Sequence, residues 1–238
     1  MSDCYDKYSW KYEDYTKKSL FPNLLFSLGY TLYIDFDSAG KISLEEQRSV
    51  TSAITSGFRT AIMNWTASLN YNRSTLNPLI VRYIDDNIFV DGDKRIFNAP
   101  QVFTVNCPKD ANFIIKIFLK NGEKFPDKDV IAKAQIQGRT IILNMHDFHL
   151  KYASGLFNVR DMEGNINIVP VIAHELGHSF GLEHTPDENS IMNASFNHIG
   201  SFPTKNDGKL FADILLKTLN PKSPGFFDPN DCSGLKVN

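Results

Sequence analysis

From residue 30 to 36 the chain reads YTLYIDF, an alternation of apolar and polar positions that predicts a first strand. The period then lengthens. Val50, Ile54, Phe58, Ile62, Trp65 and Leu69 recur at helical spacing, and Ser43 with Glu46 three residues on supplies a capping box at the start of that helix. Such a stripe belongs to a core and not to a ligand site. Runs rich in Ile, Val and Phe follow at 79–84 (LIVRYI), 102–105 (VFTV), 112–119 (NFIIKIFL) and 140–145 (TIILNM), and the Asn, Gly, Pro and Asp between them mark these as strands. IAKAQI at 131–136 reads as a further strand or a loop. Near the end, Asn206 or Asp207 caps a predicted helix to about Leu219, with Leu210, Phe211, Ile214, Leu215 and Leu219 on its buried face and Pro221 beyond it.

Composition narrows the class of molecule. With 238 residues, 42% hydrophobic and 22% charged, the chain has enough apolar material for a sizeable core. A formal net charge of -2 gives no reason to expect nucleic acid or an anionic membrane as partner. The apolar run at 20–36 follows Lys17 and Lys18 as a signal peptide would, but Pro22, Gly29 and the strand pattern that follows argue against one. No run approaches the roughly 20 apolar residues of a membrane span. Cys4, Cys107 and Cys232 allow three pairings or none, and spacing does not choose among them.

The chemistry concentrates at 174–184, HELGHSFGLEH. His174 and His178 are one helical turn apart, so both imidazoles leave the same face and can share a tetrahedral metal. Glu175 lies about a hundred degrees round that helix, suited to act as general base on a water at the metal without ligating the ion. Gly181 can enter a left-handed conformation cheaply, ending the helix and returning His184 as third ligand. Three neutral histidines leave a fourth zinc position open, the arrangement of a catalytic site. An amphipathic helix with incidental histidines would not need all of these positions filled together.

The signature resembles that of the metzincin zinc endopeptidases, which add a methionine turn beneath the metal. Ser190, Ile191 and Met192 fit that turn, and the interval from His184 to Met192 is similar to the matrixin branch. Thr185 stands where an astacin would carry glutamate. The resemblance implies an α+β fold with α/β-type layering: a twisted, mostly parallel sheet with one antiparallel edge, a long backing helix, an active-site helix and a small C-terminal subdomain with one helix. It divides the chain into an arm (1–27), a catalytic subdomain (28–182) and a C-terminal subdomain (183–238).

The implied activity is zinc-dependent hydrolysis of protein or peptide substrates by a monomeric, exported enzyme holding one catalytic zinc. The alternatives are a zinc-binding protein of this fold without turnover, or a zinc hydrolase of non-peptide substrates. By resemblance, 131–136 is the edge strand whose backbone, around Ala132 and Ala134, pairs with substrate, and Phe196 replaces the family's Pro and Tyr pocket wall. Asp3 or Cys4 in the arm could ligate the zinc in a latent form. Lys133 stands where a matrixin's structural-zinc histidine is expected. His146, Asp147 and His149 read as a surface turn more than a second zinc site, and Asp85, Asp86, Asp91 and Asp93 as a solvated turn more than a calcium loop.

Overall fold

The computed structural model describes residues 29–82, 100–127, 129–152, 164–195, 202–219 and 234–236. The alternating stretch forms β1 (Gly29–Asp35), with Tyr30 and Leu32 buried. The long stripe becomes α1 (Leu44–Tyr71), started by Ser43, whose hydroxyl accepts from the Glu46 amide at 3.1 Å. Every stripe residue from Val50 to Leu69 is buried. β2 (Gln101–Thr104), β3 (Phe113–Leu119), β4 (Val130–Ala134) and β5 (Thr140–Met145) fall within a residue or two of the expected runs.

Residues 78–82 depart from expectation, being helical where LIVRYI predicts a strand. Asn77 decides this. Its side-chain oxygen accepts from the Leu79 amide at 2.9 Å and its carbonyl from Ile80 at 2.9 Å, while Pro78 takes the first helical position, where no N–H is needed. A capped proline start therefore overrides the β-branched run.

Six of the described strands form one sheet in the order β2, β1, β3, β5, β4, β8, where β8 is Gly234–Lys236. β1 pairs in parallel with β2 and β3, and β3 with β5, whereas β4 runs antiparallel to both neighbours. This is the α+β, mostly parallel architecture expected, with one correction: β4 is not the edge, because β8 covers its outer side. β3 is buried on both faces apart from Lys116, which explains why its sequence is continuously apolar. A small second sheet joins β6 (Leu150–Lys151) to β7 (Ile166–Asn167), and β7 leads directly into α2 (Ile168–Ser179). α3 spans Lys205–Leu219.

One face of the sheet carries the main core. Phe58 of α1 meets Tyr30 and Phe113 with ring centroids 5.9 and 5.0 Å apart, tying the backing helix to β1 and β3. Lower on α1, Trp65 packs edge-on against Phe180 and Phe211, and its indole N–H donates to the Ala173 carbonyl at 2.8 Å. Trp65 thus joins α1, α2 and α3 at one point, directly behind the histidine helix. The other face holds a smaller cluster of Phe118, Phe125, Val130 and Ile142.

Two expectations for α3 change. Its cap is Thr204, whose hydroxyl accepts from the Asp207 amide at 3.1 Å while Asp207 reaches back to the Thr204 amide at 2.7 Å, a reciprocal box. Leu210 is 40% exposed because the buried face is centred on Phe211, Ala212 and Leu215.

Candidate metal centre

Asn167 caps α2 by accepting from the Val169 amide at 3.1 Å, and every residue of the helix from Ile168 to Ser179 is buried. His174 and His178 therefore project into a protein-walled space and not into solvent. The helix stops as the sequence indicates. Phe180 is the C-cap, Gly181 has φ of +99°, and Gly181 and Leu182 donate at 2.8 Å to the carbonyls of His178 and Gly177. This pair of bonds is a Schellman closure, and its positive φ is cheap only for glycine. It turns the chain so that His184 faces the other two histidines.

The three Nε2 atoms converge at 3.1, 3.1 and 3.2 Å from one another. For His174 and His178 the tautomer follows from the partner on the far side of the ring. His174 Nδ1 lies 2.7 Å from the Ile191 carbonyl and His178 Nδ1 2.7 Å from the Leu182 carbonyl. A carbonyl only accepts, so both Nδ1 atoms carry the proton and both Nε2 atoms present lone pairs. Facing lone pairs at this distance repel unless a cation lies between them, and three imidazole nitrogens are a donor set that zinc accepts. Burial, followed by the neighbouring histidines, holds His174 well below its usual pKa and brings His178 down to about 4. Neutral imidazole is the ligating form, so the site is ready for metal through the neutral range.

Glu175 is buried next to this triangle, and neither carboxylate oxygen has a hydrogen-bond partner. Burial raises its pKa well above the ordinary carboxylate value, while the Ala134 amide and Lys133 ammonium pull it down without closing a hydrogen bond. An orphaned buried carboxylate is expensive to keep, and such groups mark sites that act on something else.

Beneath the ligands, the turn at 190–193 is fixed from several directions. Thr185 donates its amide to the Met192 carbonyl at 3.0 Å and bridges to Asn193, closing the loop that begins at His184. Met192 is 1% exposed and lies against Gly177, where a β-carbon would collide with Met192 Sδ and Trp65 Cζ2. Asp207, fully buried, accepts from the Ser190 hydroxyl, from the Ile191 amide at 3.2 Å and from Thr204. Because the Ile191 carbonyl orients His174, Asp207 positions a candidate ligand that it does not touch. Replacing Asp207 with alanine leaves the Ile191 and Thr204 amides without their acceptor, at about 1–3 kcal/mol each. Loosening His174's carbonyl partner lowers zinc affinity by roughly tenfold or more. Thermal unfolding and titration against a chromophoric chelator measure the two effects separately.

Gly177 and Asp207 are the functional residues that sequence reasoning missed. A glycine inside a helix costs about 1 kcal/mol relative to alanine, so Gly177 was a legible sign of close packing. Asp207 carried no such signal beyond a capping role.

The other expected residues fall out as follows. Ala132 and Ala134 are buried on β4, beside the site. Lys133 is paired with Asp127 and lies over the Phe125 ring at 5.7 Å. His146 pairs with Asp147 at 2.6 Å and His149 is exposed. Among the described residues, the three histidines 174, 178 and 184 form the one group that could hold a metal. Asp3, Cys4, Phe196 and the aspartates at 85, 86, 91 and 93 lie outside the described residues. Cys107 is buried and disulfide-bonded; Cys4 and Cys232 are also outside them.

The metal-free site has a defined pH response. In unfolded chain the histidines titrate near 6.5, whereas in the fold both are lower, His178 at about 4. Between those values the unfolded chain binds protons that the folded chain refuses, so stability is present above 6.5 and is lost as pH falls through the window. Glu175 has the opposite sign, since its raised pKa favours the fold at low pH. Glu175→Gln removes that opposition. Chelator-treated Glu175→Gln should therefore melt at progressively lower temperature as pH drops from 6.5 towards 4, with a shallower slope in Glu175→Gln/His178→Gln.

A curated relative, "Probable matrix metalloproteinase 095L" of Invertebrate iridescent virus 3, is 29% identical over 136 residues, covering 54% of this chain and 35% of that protein. The chain thus matches about a third of that relative's length. Among solved structures, archaemetzincin from Methanopyrus kandleri aligns over 82% of this chain and 99% of its own, with a TM-score of 0.38 and 15% identity. The model of the matrixin peptidase family matches residues 38–210, from the turn after β1 into α3 and across the whole histidine site, and on that match the chain belongs to the matrixin family.

Proposed function

We propose that this chain is an endopeptidase that hydrolyses protein substrates, with one zinc ion held by His174, His178 and His184. The observation that carries the reading is Glu175: a fully buried carboxylate with both oxygens unpartnered, on the same helix as His174 and His178, whose Nε2 atoms converge with that of His184. A purely structural site has no use for it, and burying it alone is costly. When bound, zinc supplies Lewis acidity toward the scissile carbonyl and lowers the pKa of a coordinated water. Glu175 takes up the attacking water's proton on its carboxylate and returns it to the leaving amine nitrogen. His174 and His178 stay neutral throughout, each held by its carbonyl.

An exported setting belongs to the same reading, and the disulfide at Cys107 supports it, because such bonds persist in oxidising compartments. Incubation with casein or gelatin, with and without a chelator, tests the activity. Cleavage that is abolished by chelation and restored by zinc is expected. Zinc-loaded protein that leaves both substrates intact would sink the proposal, and cleavage indifferent to chelation would point to another chemistry.

A further inference from the structure

β4 runs from the covered side of the sheet into the metal centre. Its last residue, Ala134, turns its amide toward the Glu175 carboxylate, and just beyond it the Gln137 amide donates to the His178 carbonyl at 2.8 Å. One side of β4 is committed to β5, through Ala132↔Leu143, Lys133↔Ile142 and Ala134↔Ile141. The other side is taken by the chain itself. β8 lies antiparallel along it, with Lys133 opposite Gly234, Ala132 opposite Leu235 and Val130 opposite Lys236.

We propose that Gly234–Lys236 is a displaceable internal occupant of a peptide-binding edge on β4, which an extended substrate must remove to reach Glu175. The inference rests on the reading of this chain as a peptide hydrolase and adds a regulatory element to the same site. What β4 offers on this side is a row of backbone donors and acceptors, and these pair with any extended peptide regardless of its side chains. β8 is a weak holder of that row. It is three residues long and begins with glycine, which strands disfavour. The register shifts between Val130 and Ala132, so the ladder is interrupted within its short length. Among the described residues the pairing ends at Lys133, one position short of the residue facing Glu175.

Tethering offsets this weakness. A segment attached to the same chain competes at an effective concentration on the order of millimolar, so a free peptide's apparent dissociation constant is its intrinsic one divided by the fraction of molecules whose edge is open. The result is a site that favours long, well-fitting peptides over short ones.

The test needs no turnover. In zinc-loaded full-length Glu175→Gln, a fluorescein-labelled extended decapeptide from casein is titrated by anisotropy, with and without Leu235→Pro and Lys236→Pro together. Successive amides in a strand point to opposite sides, so one of the two lost donors faces β4 whatever the phase. The double proline is expected to tighten binding by about tenfold; equal or weaker binding overturns the proposal. Because two prolines can perturb the fold, hydrogen exchange on the Glu175→Gln chain without them provides a second reading. Exchange at residues 235 and 236 should rise when saturating decapeptide is added, and unchanged exchange overturns the proposal as well. Tighter binding without casein cleavage by the parent chain removes the hydrolase reading and leaves the occupant standing. Cleavage without tighter binding does the reverse.

Discussion

Glu175→Gln leaves zinc bound and lowers the turnover of a casein-derived peptide by about 10²–10⁴-fold, the range of general acid–base catalysis. Glutamine preserves the size of the side chain and both of its polar atoms, so the histidine triangle, held by the Ile191 and Leu182 carbonyls, is undisturbed. What it loses is the ability to hold a proton between attack and departure of the amine. The same change removes a desolvated carboxylate with no hydrogen-bond partner, so the variant should melt above the parent at neutral pH. Together these results separate a catalytic carboxylate from a structural one: activity falls while stability rises. A variant with undiminished turnover would refute the role given to Glu175, and metal analysis on the same sample guards against confusing lost chemistry with lost zinc.

The second large effect is expected for His178→Ala, which loses metal and activity together. His178 contributes one corner of the triangle, 3.1 Å from His174 and 3.2 Å from His184, and it also closes the helix end by donating to the Leu182 carbonyl. Two remaining imidazoles bind zinc far more weakly than three on a preorganised frame, so affinity should fall by at least roughly a thousandfold. The cavity left by the fully buried ring adds a stability cost of about 2–4 kcal/mol in the metal-free protein. Zinc content after dialysis against a buffered submicromolar level reads the first effect, and denaturant unfolding in chelator reads the second. A variant that retains one zinc per chain under those conditions would contradict the three-histidine assignment.

Much of this arrangement is legible in the residues, and the parts that are not share a cause. α1 shows in its stripe because one face is buried and the other wet, and β3 shows because both faces are covered. The histidine site shows because its ligands and Gly181 are close in sequence and their spacing is dictated by helix geometry. Residues 78–82 mislead because the deciding interaction belongs to Asn77 and Pro78, outside the apolar run. Asp207 is silent because its partners, Ser190 and Ile191, come from a turn that only the folded chain brings near. β8 is silent for a stronger reason: nothing about Gly-Leu-Lys announces a strand, and it becomes one only because β4 has backbone groups to satisfy.

The three converging histidines lie within 174–184, whereas the helix that carries two of them is packed by distant segments, as where Trp65 meets Ala173 across 108 residues. Unfolding therefore scatters those segments but leaves the His174–His178 pair, one turn apart, able to chelate. Some zinc affinity survives in the denatured ensemble, and the metal raises the melting temperature by less than its native-state affinity implies. During refolding the same pair can capture zinc early and bias 174–178 toward helix, before the long-range pairing of β1 with β3 has closed. Zinc would then act as a folding nucleus, and refolding of this chain should be faster with the metal present than when it is added afterwards.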